Sequence, residues 1–302
     1  MARIIAGVQR AYHRGGVSEL VLSGRRFLAA KIQPDPPPPV KAVKRPKPKS
    51  AVTPPAAAKA APPTAAQPQV LLAESVSHQQ ALAWFAPRRP TYERLINSVA
   101  PYVDRTGLVL DVGANIGFFT KTFGELIDFS GTVHLFEPIP HLVELCRKTL
   151  SDVPYTAVVH DFGLGDQDAE ITIYQAANGN LGWNTVVAPK ANPDMQPLQI
   201  QVRAFDDIGI DGTPTFIKID VEGAEYQVLK GMLGAIERWD PQPTILCEIG
   251  WGTGHPAWDE ELKIFRALCD LGYSTLDLDH NPVDVETINK TTDLLFVPQH
   301  LI

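Results

Sequence analysis

The segment LVLDVGANIGFFTKTF, Leu108 to Phe123, sets the strongest constraint on the fold. An apolar run of strand length ends in glycines at 113 and 117 and passes at once into an amphipathic stretch. The same succession recurs down the chain. TVHLFEP, YTAVVHD, TFIKIDV, TILCEIG, YSTLDLD and DLLFVP read as further strands, and EITIYQ as a hairpin. HLVELCRKTL, AEYQVLKGMLGAIERW and WDEELKIFRALCDLG read as helices, after FFTKTFGELI. Short apolar runs alternating with amphipathic helices predict an α/β domain built on a mostly parallel sheet, here over residues 70–302. Its first part, 70–103, reads as a helical lead-in interrupted at Pro87 and Pro90, and the core as 104–298.

Ahead of it the chain is a different material. Residues 1–69 hold 12 of the 27 Lys and Arg and 12 of the 27 prolines, against Glu19 and Asp35 alone. They carry about +10, and the remainder about −17. Runs such as PDPPPPVKAVKRPKPK extend the backbone and bury little, so 32–69 is expected to be a disordered linker. Residues 1–31 space Ile4, Ile5, Val8 and Tyr12 near helical period among arginines. They suit a basic amphipathic helix on an anionic membrane surface or on a partner protein, a weakly helical tail broken at Gly15-Gly16, or a transit peptide. With no apolar run of the ~18 residues that span a bilayer, the expected location is cytoplasmic, peripheral at the membrane if the tail binds there. Specific nucleic-acid binding is not expected, because the acidic part would repel phosphate. Cys146, Cys247 and Cys269 show neither disulfide nor zinc spacing and read as core residues.

Ligands of an open α/β sheet bind beyond the carboxyl ends of its strands, so the residues that finish each strand are the candidates for chemistry. The first strand ends in Asp111, Gly113, Asn115 and Gly117, a turn that lets backbone approach a ligand. It lacks the GxGxxG order of a dinucleotide fingerprint, which argues against a nicotinamide enzyme. The second ends at Glu137, 26 residues beyond Asp111, where a nucleoside-binding fold places the carboxylate that accepts both ribose hydroxyls.

Together LDVGANIG, HLFEPIP, GLGD, FIKIDVEGAEYQVLKG, PTILCEIG and DLLFVP, in that order over roughly residues 100–298, resemble the FkbM-type family of class I S-adenosylmethionine-dependent methyltransferases. The resemblance implies a Rossmann-like sheet of seven strands in the order 3-2-1-4-5-7-6, the last antiparallel, with helices on both faces. It implies S-adenosyl-L-methionine as cofactor, with Asp111, Gly113, Asn115 and Gly117 around its methionine and ribose and Glu137 on the diol. HDFGLGD would approach the adenine, with Asp161 or Asp166 as partner for the amino group. Gly163 departs from the family pattern, which often has Ala before LGD.

Phe216, Lys218 and Asp220 share one face of their strand. A lysine inside a central strand must be paired, so Lys218, Asp220 and Glu248 are expected to form a catalytic cluster beside the transferable methyl. Asp220 or Glu248 would remove the proton from an attacking hydroxyl or bind the acceptor. No metal is expected, although such carboxylates suit a hard cation. Glu222 faces either acceptor or solvent, while Glu225, in the first turn of the next helix, reads as a carboxylate favoured by the macrodipole. Trp183, Asn184 and Thr185, in a Gly- and Asn-rich loop, and His255 complete the acceptor-binding candidates. The expected reaction is O-methylation of a hydroxyl on a glycan, glycosylated metabolite or polyketide-like small molecule. N-methylation, and an inactive nucleotide-binding scaffold held by the basic tail, are the alternatives.

Overall fold

The computed structural model describes residues 76–176, 181–182, 184–187 and 195–302. The expectations for 1–31, for 32–69, for the start of the lead-in and for Trp183 lie outside those residues. Among the described residues no helix is long and apolar enough to cross a membrane.

In chain order the strands are β1 (Leu108–Val112), β2 (Thr132–Phe136), β3 (Thr156–His160), β4 (Gly163–Gly165), β5 (Ala169–Gln175), β6 (Asn184–Thr185), β7 (Gln196–Ala204), β8 (Pro214–Ile219), β9 (Thr244–Ile249), β10 (Tyr273–Leu276) and β11 (Thr292–Pro298). The helices are α1 (His78–Phe85), α2 (Arg89–Val99), α3 (Phe118–Ile127), α4 (Pro140–Thr149), α5 (Glu225–Arg238) and α6 (Trp258–Asp270). Seven strands form one sheet in the order β3-β2-β1-β8-β9-β11-β10. Counted within that sheet this is 3-2-1-4-5-7-6, as expected, and β11 runs antiparallel to both β9 and β10 while the other pairs are parallel.

The period of two along β8 decides which helices cover which face. Ile217 and Ile219 join Leu110 and Val112 against Val228, Leu229 and Met232 of α5. Phe216 points the other way, with Val109, into a core that includes Ile96 of α2 and Phe123 of α3. The rings of Phe123 and Phe216 stack with centroids 5.7 Å apart. Each such fully buried ring stabilises the fold by about 1.5–3 kcal/mol.

A second sheet, in the order β4-β7-β5-β6, corrects the sequence reading. EITIYQ, expected as a hairpin, pairs with β7, from Ala169 opposite Val202 to Gln175 opposite Gln196. The segment QPLQIQVRA had no assignment because glutamines interrupt its apolar residues. Its alternation is that of a half-buried strand, with Ile200 and Val202 inward and Gln199 and Gln201 exposed. Cys146 and Cys247 are buried as expected, but Cys269 is exposed on α6.

The lead-in forms α1 and α2, parted by a short 3-10 turn at Pro87, with Pro90 in the first turn of α2. Ser77 and Gln80 close a capping box at the start of α1. His78 Nε2 lies 3.0 Å from Thr149 Oγ1 on α4, and Phe85 stacks on Phe118 at 5.5 Å. These contacts carry Phe85 and Tyr92 over the carboxyl end of β1, where the candidate site lies.

Candidate active site

The first strand hands its backbone directly to the site. Gly113 and Ala114 donate their N–H groups to Phe136 O at 3.0 and 3.1 Å, locking the turn after β1 onto the end of β2. Gly113 has φ +78°, and a Cβ there would stand 1.9 Å from Asp220 O, so no other residue fits. Asn115 follows with φ 52° and donates its side-chain amide to Leu181 O at 2.6 Å.

Glu137 sits at the end of β2 with 4% of its surface exposed. Its Oε2 accepts from Asn115 N and its Oε1 from Ile139 N, each at 2.9 Å. Burial pushes its carboxyl up to about 7, against the pull of those two bonds. A carboxylate has about four acceptor positions, so one remains on each oxygen. Glu137 also lines the main cleft, which holds about 960 Å³ between protein atoms, its mouth included.

Two of the residues expected around the cofactor act from behind the wall. Asp111 is fully buried, accepts from Thr120 Oγ1, and pairs with Lys218 Nζ at 3.4 Å. Gly117 packs towards Cys146 and Leu150. The side chain of Asp161 is 72% exposed and faces Arg147 at 4.0 Å, away from the lining. Asp166, its alternate, pairs with Lys230. The cleft beyond Glu137 is lined instead by Phe136, Pro138, Ile139, Gly163 and Leu164, an apolar slot that suits a flat heterocycle. Gly163 has a local reason, since a Cβ there would come within 3.2 Å of Val202 Cγ1.

Sequence reasoning missed much of the remaining wall. Phe85 and Tyr92 from the lead-in, Phe118 and Phe119 from α3, and Ile200 and Val202 from β7 close over the cleft. Burial, then the charge of Asp220, pushes the Tyr92 phenol up to about 12. The only signal for this wall is the aromatic density of WFAPRRPTY around the two prolines.

At the other end Lys218 Nζ lies 3.3 Å from Asp220 Oδ2 and 3.1 Å from Gly113 O, besides its contact with Asp111. Burial opposes its charge, but Asp220 and Asp111 more than offset that and hold it protonated. No ion pair joins Lys218 to Glu248 among the described residues. Glu248 instead meets carboxylates: one oxygen each of Asp220, Glu222 and Glu248 lie within 4.8 Å of one another. The charge of Asp220, then burial, pushes Glu248 up to about 9, and burial, then Asp220, pushes Glu222 up to about 8. Such a set shares protons or takes a hard divalent cation. Asp220 and Glu222 line the cleft, whereas Glu248 does not.

The remaining acceptor-binding candidates spend polar atoms on main chain. Asn184, which lines the cleft, accepts from Ala176 N at 3.3 Å and donates to Leu181 O at 3.4 Å. Thr185 Oγ1 donates to Glu222 O at 2.8 Å. His255 is buried, with Nε2 3.2 Å from Gly223 O and Nδ1 accepting from Ala257 N, and it stacks on Trp251. Glu225, expected as a first-turn carboxylate favoured by the dipole, stands in the first turn of α5, but it is 1% exposed and folds back on the turn before the helix.

The sequence profile described as Methyltransferase FkbM domain matches residues 111–275, more than half of the chain. "Methyltransferase 1" of Beauveria bassiana is 28% identical over 173 residues, 50% of this chain and 67% of that protein. "Hexuronic acid methyltransferase AglP" of Haloferax volcanii is 29% identical over 133 residues, 42% of this chain and half of that protein. Among solved structures, the O-methyltransferase from Bacillus cereus in complex with SAH aligns with 73% of this chain and 90% of its own at 11% identity and a TM-score of 0.43.

Proposed function

Because the chain belongs to the FkbM methyltransferase family, we propose that it transfers a methyl group from S-adenosylmethionine to a hydroxyl on a glycan, a glycosylated metabolite or a polyketide-like acceptor. The observation that carries the cofactor is Glu137: its two backbone bonds leave one acceptor position on each oxygen, facing a cleft with an apolar slot beyond it. A vicinal diol offers the two donors that fit. The name of the Haloferax relative supports a sugar-class acceptor.

Bound there, the cofactor would supply an electrophilic methyl group. The chain's own residues do the rest. Glu137 would orient the ribose, and the aromatic and aliphatic walls would keep water out while the acceptor is positioned for transfer. Asp220 faces the cleft and takes the hydroxyl proton as the oxygen attacks. Lys218 fixes Asp220 against the glycine turn, and Glu248 shares the proton within the carboxylate set.

The test is calorimetric titration of the full chain with S-adenosylhomocysteine, with NADH as comparison, in wild type and Glu137→Ala. Binding of the first ligand alone, weakened by the substitution, is expected. Transfer of labelled methyl to a panel of neutral glycosides follows. Absence of S-adenosylhomocysteine binding in the wild type would end the cofactor reading.

A further inference from the structure

Glu222 has φ 56°, a left-handed conformation that an unbranched residue other than Gly, Asn or Asp seldom adopts. Gly223 continues the turn at φ 108°, and a Cβ on it would stand 2.7 Å from Val187 Cγ2 and 2.9 Å from the Trp251 ring. Something must hold this turn against relaxation, and the structure supplies three side chains from three parts of the chain. Glu225 Oε1 accepts from Gly223 N at 2.9 Å and from Val221 N at 3.3 Å. Thr185 Oγ1 donates to Glu222 O, and His255 Nε2 reaches Gly223 O. The one ionisable group of the turn, the Glu222 carboxyl, lines the cleft beside Asp220.

We propose that Glu225, Thr185 and His255 are positioning residues that clamp the Val221 to Ala224 turn, so that the Glu222 carboxylate is presented to the acceptor next to Asp220. This rests on reading the cleft as the site of methyl transfer. It reassigns Thr185 and His255 from touching the acceptor to holding the residue that touches it, and gives Glu225 a role beyond the helix dipole. Strain retained at a residue that faces a cleft is what a functional turn requires, because a relaxed Glu222 would leave the carboxylate set. None of the clamp's three side chains is among the residues that line the cleft.

The experiment compares Glu225→Ala, Glu225→Gln, Thr185→Val and Thr185→Ser with wild type in the full chain. Three readouts are taken: S-adenosylhomocysteine affinity, labelled-methyl transfer to the glycoside found in the screen above, and the crystal structure of Glu225→Ala and Thr185→Val. Glu225→Gln keeps an accepting oxygen and Thr185→Ser a donating hydroxyl, so both should rescue. Expected are unchanged S-adenosylhomocysteine affinity throughout, and kcat lower by about 100-fold in Glu225→Ala, the size of a misplacement near 1 Å. In the crystal structures Glu222 should leave positive φ. Should Glu225→Ala fail to fold, Thr185→Val carries the same comparison. Glu222 keeping its conformation in either crystal structure would overturn the proposal, as would equal losses in the Gln and Ala variants, which would mean that the Glu225 charge itself acts. If the wild type binds no S-adenosylhomocysteine, the cofactor reading fails separately, and the crystal structures still decide whether the clamp exists.

Discussion

The two ends of the cleft treat buried carboxylates in opposite ways. At the cofactor end Glu137 receives two backbone N–H bonds, and Asp111 a threonine hydroxyl and an ammonium. At the acceptor end Asp220, Glu222 and Glu248 crowd together, with Asp293 opposite Glu248 on the neighbouring strand, and Lys218 is the cation that reaches into the group. Burial, then Asp220, pushes Asp293 up to about 6. A site that must hold a fixed neutral diol is best provided with preset donors and acceptors. One that must take up and release a proton is best built from crowded carboxylates, since burial and neighbouring negative charge raise proton affinity. Under the proposed function the contrast separates an end that binds from an end that reacts.

The largest test of this contrast removes the cation that both ends share. Lys218 is 5% exposed and Asp111 fully buried, so Lys218→Met strands an uncompensated charge in the core. Breaking such a pair from one side costs about 3–5 kcal/mol. Urea denaturation at neutral pH should show that loss, and adding Asp111→Asn should recover part of it. A loss near that of an exposed pair, below about 1 kcal/mol, would mean that the two ends are independent.

A smaller effect is expected at Glu137. In Glu137→Gln the new amide must place a donor against Asn115 N or Ile139 N, and one acceptor position for the diol disappears. Losing a charged hydrogen bond costs about 1.5–3 kcal/mol, or roughly 10- to 100-fold in S-adenosylhomocysteine affinity by titration. Asp161→Ala should leave that affinity unchanged, because its side chain is 72% exposed and outside the cleft lining. An equal loss in both variants would erase the distinction between a provisioned carboxylate and an exposed one.

The main sheet was legible in the sequence because its central parallel strands β1, β8 and β9 are buried on both faces and stand out as apolar runs beside helices of clear period. Strand β7 was not, since Gln199 and Gln201 face solvent and hide the apolar residues between them. Strand-end logic located Glu137, Asp220 and Glu248, each at the carboxyl end of a parallel strand. It misjudged Glu225, for a carboxylate in a first helical turn looks the same in sequence whether it faces water or bends back to cap two backbone N–H groups. Phe85 and Tyr92 were out of reach, because only the docking of α1 and α2 on the sheet brings them above the cleft. Residues that act through distance along their own strand can be read; those delivered by tertiary packing cannot.

A test on a single buried carboxyl sharpens the comparison outside the cleft. Glu261 on α6 is buried, as Glu137 is, but neither of its carboxylate oxygens has a hydrogen-bond partner among the described residues, and His255 Nδ1, which accepts from Ala257 N, stands at 3.9 Å. Burial, then the charge of Glu225, pushes it up to about 8. With the folded value above the unfolded one, the folded state prefers the proton. Its contribution is complete below about pH 4.5 and is lost as pH rises through about 8. Glu261→Gln removes the charge, so at about pH 8.5 the variant should be more stable than wild type, and near pH 4 the two should agree. Paired denaturation curves at the two pH values measure this. Glu137→Gln should show a smaller gain, because there two backbone donors hold the carboxyl at about 7. A variant less stable than wild type at high pH would mean that Glu261 has found donors of its own, and that the shortage of donors is confined to the carboxylates around Asp220.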